Sequence, residues 1–204
     1  MKTQVLILLA ALFTIRGFLF SQTQSSLPLA IQPASKLLLQ GTSTMHDYSA
    51  KASVINGSII VDSTAYQEKD WSKFLQKVDI SVPVKGLLSG DEKLDDNMHD
   101  ALKAEDHENI TYRMTNAVVA HAGGDTATLK IVGTLSVGGK EKETEMVVTL
   151  MKSQDGTLRI KGSTDLLMTD FDIDPPTFLF VLTTDNKVKI SFVLIMQEHT
   201  HVHK

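Results

Sequence analysis

Two groups of side chains in this sequence have the types and spacing for polar chemistry. His46 and Asp47 are adjacent, the pairing in which a carboxylate orients an imidazole for general-base work. Asp91, Glu92, Asp95, Asp96 and His99 crowd together, and carboxylates with an imidazole form a donor set for divalent ions. His107 stands between Asp106 and Glu108, and His199, His201 and His203 alternate close to the C-terminal end. Each group meets an objection. No nucleophile with a base is recognisable by spacing around His46 and Asp47, so the pair reads as turn capping. The acidic group lacks the glycine and glutamate positions of a calcium-binding helix-loop-helix, and its composition is what the first turn of a helix favours. No His-Glu-x-x-His pattern occurs, and the terminal histidines have no evident supporting shell. Gly123-Gly124 and Gly138-Gly139 are not in the strand-to-helix setting of a phosphate loop. No catalytic residue, metal ligand or cofactor is assigned.

The chain-wide properties narrow the class. Of 204 residues, 42% are hydrophobic and 22% charged, the composition of a globular core. The net charge of −4 offers no basic surface for nucleic acid. Lys2, the apolar run Val5 to Ile15 and the small Ser21 have the layout of a secretory signal, with cleavage expected after Ser21. Arg16 and Gly17 cut the apolar run short of a bilayer span; an uncleaved anchor is the alternative. Cleavage there removes Lys2 and Arg16 and no acid, leaving residues 22–204 two charges more negative. No later segment approaches transmembrane length. There is no cysteine, hence no disulfide and no lipoprotein-type anchor, so the fold must be stabilised by its core. The expected location is the bacterial periplasm or the exterior.

The elements that must position any site are strands. Asn56-Gly57, Gly123-Gly124, Gly138-Gly139, Asp155-Gly156 and Asp185-Asn186 tolerate positive φ and are read as hairpin turns at regular intervals. Between them the residues alternate. Val78, Ile80, Val82 and Val84 share one face, opposed by Asp79, Ser81 and Lys85. Ile110, Tyr112 and Met114 alternate with Thr111 and Arg113. The same period joins Thr144, Met146, Val148 and Leu150, then Leu158 and Ile160, then Val188, Ile190, Phe192 and Leu194. Period-two patterning with one wet face describes antiparallel strands around an apolar interior. One stretch, residues 93–107, breaks the period. Leu94, Met98, Ala101 and Leu102 fall at helical spacing there, predicting a short helical insert able to cap a barrel mouth. Asp170-Phe171-Asp172 and Pro175-Pro176 read as a rim loop, with Phe171, Phe178 and Phe180 near an opening. The domain is expected over residues 36–196, after a lead at 22–35 and before a polar tail at 197–204.

Four segments together resemble a known family. They are Leu39-Gln40-Gly41-Thr42-Ser43-Thr44-Met45-His46-Asp47, Asn56-Gly57-Ser58-Ile59, the run from Val78 through Leu94-Asp95-Asp96-Asn97-Met98-His99 to Ile110-Thr111-Tyr112, and Val132-Gly133-Thr134-Leu135-Ser136-Val137-Gly138-Gly139. In order and spacing they are similar to the YceI-like proteins, a group associated with polyisoprenoid and other long-chain lipids. Asn109 stands where most relatives carry proline. The resemblance implies an all-β, eight-stranded antiparallel barrel, lipocalin-like, with a long isoprenoid or other lipid inside. Under it the cavity-lining residues are Val78, Ile80, Val82, Val84, Ile110, Tyr112, Met114, Leu129, Ile131, Met146, Val148, Leu150, Ile190, Phe192 and Leu194. Read without the resemblance, each of these simply packs a filled core.

Three functions therefore stand side by side: a binding protein for a long apolar ligand, which is not an enzyme; a filled-core structural or interaction domain; and a hydrolase using His46 and Asp47. Alternation is common to all three.

Overall fold

A computed structural model describes residues 26–44, 47–175, 177–178 and 182–198. Residues 1–25, which include the expected signal segment, and His46, Phe180, His199, His201 and His203 lie outside them. The strands are β1 (Ser26–Ile31), β2 (Lys36–Ser43), β3 (Tyr48–Ala52), β4 (Asn56–Asp62), β5 (Leu75–Pro83) and β6 (Leu87–Leu88), then β7 (Asn109–Gly123), β8 (Thr126–Val137), β9 (Lys140–Lys152), β10 (Leu158–Leu167), β11 (Thr177–Phe178) and β12 (Leu182–Glu198). Three short α-helices are α1 (Ser63–Glu68), α2 (Trp71–Phe74) and α3 (Glu92–Ala101).

Several of these strands are halves of one stave. Ile31 faces Met196 of β12 and Lys36 faces Val193, so β1 and β2 follow one another along the same partner. The intervening Gln32–Ser35 loop stays attached, because the Ile195 amide donates to Ser35 Oγ (2.9 Å) and the Gln32 amide to the Ile195 carbonyl (2.8 Å). On their other side β4 pairs with β1 and β3 with β2, again as a continuous run. β5 continues into β6 past a 3-10 turn at Val84–Gly86. With β7, β8, β9, β10 and β12 this makes eight antiparallel staves, each paired with the next and the last closed on the first. Closure leaves no long edge to pair with another chain.

The alternation places side chains as the period requires. On β9, Thr144, Val148 and Leu150 are buried while Glu143, Glu145 and Thr149 are exposed. Tight turns occur where left-handed residues permit them: Gly138 and Gly139, at φ 53° and 82°, join Val137 to Lys140 directly. Two of the expected hairpins are not turns. Gly57 lies inside the β3–β4 stave at φ 146°, and a Cβ there would sit 2.2 Å from the Asp79 carbonyl oxygen; the glycine serves a close strand approach. Asp185 and Asn186 lie within β12, in an irregularity between Thr184 and Val188. The barrel also starts ten residues before the expected boundary at 36, because β1 supplies half a stave, and β12 carries two residues of the expected tail.

The two ends of the barrel differ. Asp62 and Asp70 cap α1 and α2, accepting from the amides of Ala65 (2.8 Å) and Ser72 (3.2 Å). These helices, absent from the sequence reading, put Trp71 and Phe74 edge to face at 5.1 Å across one end. Trp71 Nε1 donates to the Gly124 carbonyl (3.4 Å) and Tyr66 Oη to the Gly156 carbonyl (2.5 Å), tying the plug to two hairpin turns. The opposite end carries α3 and a 3-10 segment, Met168–Phe171. Helix α3 is the expected insert, bounded at Glu92–Ala101 with turns following. Each end has its own apolar cluster, one around Phe74, Leu150 and Met196, the other around Val84, Leu87, Leu102 and Phe171.

Candidate functional site: an apolar lumen

A cavity of about 200 Å³ runs between the two clusters. Of the described residues that line it, only Tyr112 and Thr164 carry a polar side-chain atom, and none is charged. An apolar cavity of about 150 Å³ stays dry and takes up small hydrocarbons, so this lumen favours an apolar occupant over water.

Twelve of the fifteen residues expected at the cavity line it. β5 contributes Val78, Ile80 and Val82, and β7 contributes Ile110 and Tyr112. Ile131 comes from β8, Met146, Val148 and Leu150 from β9, and Ile190, Phe192 and Leu194 from β12. Three do not reach it. Val84 falls beyond the end of β5 in the 3-10 turn, where it is fully buried among the mouth cluster. Leu129 is 1% exposed and packs solidly in the cluster at the closed end. Met114 packs against that same cluster, just before β7 shifts register ahead of Asn116.

The sequence reading missed the contribution of β2 and of the mouth. Leu37 and Leu39 line the lumen from β2, and their alternation in Leu37-Leu38-Leu39 is masked by the apolar Leu38 between them. Ile160 and Val188, already legible as inward, line it too. At the mouth, Leu102 follows α3, and Phe171 and Ile173 come from the rim loop, whose Phe171 is 2% exposed. Leu167 also lines the space yet is 43% exposed, marking where the lumen meets solvent.

Two glycines give the lumen its width. A Cβ on Gly133 of β8 would lie 2.5 Å from Tyr112 Cζ, and one on Gly162 of β10 would lie 2.6 Å from Phe192 Cζ. Both rings therefore occupy wall space that side chains would otherwise fill. Burial pushes the Tyr112 phenol up to about 12, so it is protonated across the physiological range.

The polar residues have structural roles around this lumen. Asp91 caps α3 by accepting from the Leu94 amide (3.0 Å). Asp95 accepts from both the hydroxyl and the amide of Ser89, each at 2.6 Å, and these bonds hold its carboxyl below the usual carboxylate range. His99 Nε2 lies 2.9 Å from the Leu87 carbonyl oxygen, fixing α3 to β6. Across the mouth, Lys140 pairs with Asp172 (2.6 Å) and Lys142 with Asp170, joining the start of β9 to the rim segment.

The comparisons with known proteins agree with this architecture. The structure is similar to that of BcnA from Burkholderia cenocepacia, with 18% identity, a TM-score of 0.66, and coverage of 81% of this chain and 99% of that one. It is similar to a polyisoprenoid binding domain from Saccharophagus degradans implicated in plant cell wall breakdown, at 12% identity, TM-score 0.65, and coverage of 85% and 99%. A YCEI protein of Campylobacter jejuni aligns at 13% identity and TM-score 0.57, over 74% of this chain and 85% of that one. At these identities the likeness is one of fold. No curated protein matches the chain. The YceI-like domain model matches residues 30–196, nearly the whole of the closed barrel with its capped mouth, and on that match the chain belongs to the YceI-like family.

Proposed function

We propose that this protein is an exported, non-enzymatic binding protein that holds a long apolar chain, isoprenoid or fatty, within its barrel for storage or transport. The observation that carries the reading is the lumen itself: a space between the strands, open at one mouth, whose described lining residues are uncharged and almost wholly hydrocarbon. Such a surface has little to offer a polar ligand. Each methylene it removes from water contributes roughly 0.8 kcal/mol, less the cost of ordering the chain. Membership of the YceI-like family and the fold shared with a polyisoprenoid binding domain support the same ligand class. The charged start, apolar run and small-residue site in residues 1–21 support export.

At about 200 Å³ the lumen is smaller than ordinary ligand pockets of roughly 300–1,000 Å³. A long chain is accommodated by movement of flexible lining residues such as Met146, and by extension through the mouth past Leu167. Native mass spectrometry of gently purified protein, with organic extraction of its contents, tests the reading. A bound lipid that is lost on extraction is expected. Protein that carries no lipid and takes up neither isoprenoid quinones nor fatty chains would refute it, in favour of a filled-core domain.

A further inference from the structure

Tyr112 is an anomaly in its surroundings. It projects inward from β7, lines the lumen, and packs against the closed-end cluster. Its ring faces the lumen, but its Oη is pressed against Gly133, reaches no solvent surface, and has no hydrogen-bond partner among the described residues. Buried hydroxyls are nearly always paired, because an unpaired one forfeits the bond it had with water. A phenylalanine would fill the same volume without that loss. A resident water is a poor remedy, since a buried water needs two to four polar partners. Among the described residues, the only other polar side chain lining the lumen is Thr164 on β10, with β8 and β9 intervening.

Resting on the ligand-binding reading above, we propose that Tyr112 is a ligand-binding residue whose hydroxyl donates one hydrogen bond to an uncharged carbonyl-type oxygen carried by an otherwise hydrocarbon ligand. The phenol is a donor at every physiological pH, because burial keeps it protonated. The acceptor is neutral, because no charged side chain among the described residues lines the lumen and an unpaired ion there would lose its hydration without compensation. It also sits well inside the barrel. Tyr112 is paired with Ile80 and Leu135, at the junction of the two apolar clusters, so hydrocarbon extends to either side of the carbonyl. To make the bond the ring turns off Gly133, whose lack of a side chain leaves few contacts to break. Side-chain rotation of this kind on binding is common.

The test uses Tyr112→Phe in the full barrel with two probes, a long-chain ketone bearing its carbonyl at mid-chain and the alkene of the same length. Wild-type protein is expected to bind the ketone about three- to tenfold more tightly than the alkene, the worth of one net hydrogen bond. Tyr112→Phe binds the alkene at least as tightly as wild type does and the ketone no more tightly than the alkene, because the carbonyl is then buried without a donor. The ketone's infrared carbonyl band shifts to lower frequency on binding to wild type but not to the variant. Without ligand, Tyr112→Phe unfolds at the same denaturant concentration as wild type or higher, because it loses no partner. Equal wild-type affinity for the two probes, a ketone preference that survives in Tyr112→Phe, or a marked loss of ligand-free stability each overturns the proposal while leaving the ligand-binding reading intact. Wild-type protein that binds neither probe overturns both.

Discussion

Tyr112 and Gly133 are diagonal neighbours on β7 and β8, Tyr112 facing Leu135 and Gly133 facing Met114, and the ring of the tyrosine fills the side-chain space of the glycine, with a Cβ on Gly133 falling 2.5 Å from both Cζ and Oη. The pair sits where β7 meets β8 in the barrel wall, and it decides how much of the interior stays open. Gly133→Ala should drive the ring into the lumen and press on the Arg113 carbonyl oxygen, 2.6 Å from the added Cβ, cost about 1–3 kcal/mol by overpacking, and weaken uptake of a fluorescent lipid probe. The double variant with Tyr112→Ala should recover part of the uptake, but not the stability lost to the contact with the Arg113 backbone. A double-mutant cycle on denaturation and probe binding measures the coupling directly.

The plug at the closed end should be far less tolerant than the lumen wall. Phe74 is fully buried against Trp71 and Tyr66, so Phe74→Ala should cost about 3–5 kcal/mol. Met146 is only partly buried and already borders open space. Met146→Ala should therefore cost about 2 kcal/mol or less, at or below the lower end of the large-to-small range. Urea denaturation of the two variants at equal pH gives both numbers, and equal losses would contradict a hollow interior.

The α3 cap should loosen in acid. The Ser89 hydroxyl, then its amide, hold the Asp95 carboxyl below its ordinary range. A carboxyl lowered in the folded state stabilises it fully above the unfolded value, near pH 4, and that contribution is lost as pH falls through the lowered folded value. Deuterium exchange of α3 amides, taken relative to the intrinsic rate at each pH, should quicken below about pH 4 while the barrel strands stay protected. Asp95→Asn should quicken it at neutral pH as well.

The two ion pairs at the mouth should matter locally and hardly at all globally. Lys140–Asp172 and Lys142–Asp170 are formed between partly exposed groups, a setting in which each pair contributes about 0–1 kcal/mol. The double variant Lys140→Ala with Lys142→Ala should unfold at nearly the wild-type temperature. Its deuterium uptake over residues 168–173 should rise, since that segment then keeps Phe171 burial and the Thr169–Asn186 hydrogen bonds as its main ties. A large drop in unfolding temperature would show the pairs to be worth more than their exposure allows.

The sequence by itself determined which residues face inward on the strands that alternate cleanly, though not on β2, where Leu38 hides the period. Val78, Ile80 and Val82, or Met146, Val148 and Leu150, follow from a strict two-residue period, which is a local property of extended backbone. The Gly138-Gly139 turn and the α3 insert were legible for the same reason: left-handed φ and helical spacing are set within a few residues. Tertiary structure alone decided where those local pieces end and what they meet. Val84 fits the alternation, yet the chain turns before reaching it. Asn56-Gly57 and Asp185-Asn186 have turn composition, yet closure of the sheet draws them into staves. Nothing local to Tyr112 shows that Gly133 lies beneath its ring, or that its hydroxyl lacks a partner, because both depend on strand register. Whether inward side chains meet or leave a gap is likewise a matter of volume summed across eight staves, which no single strand encodes.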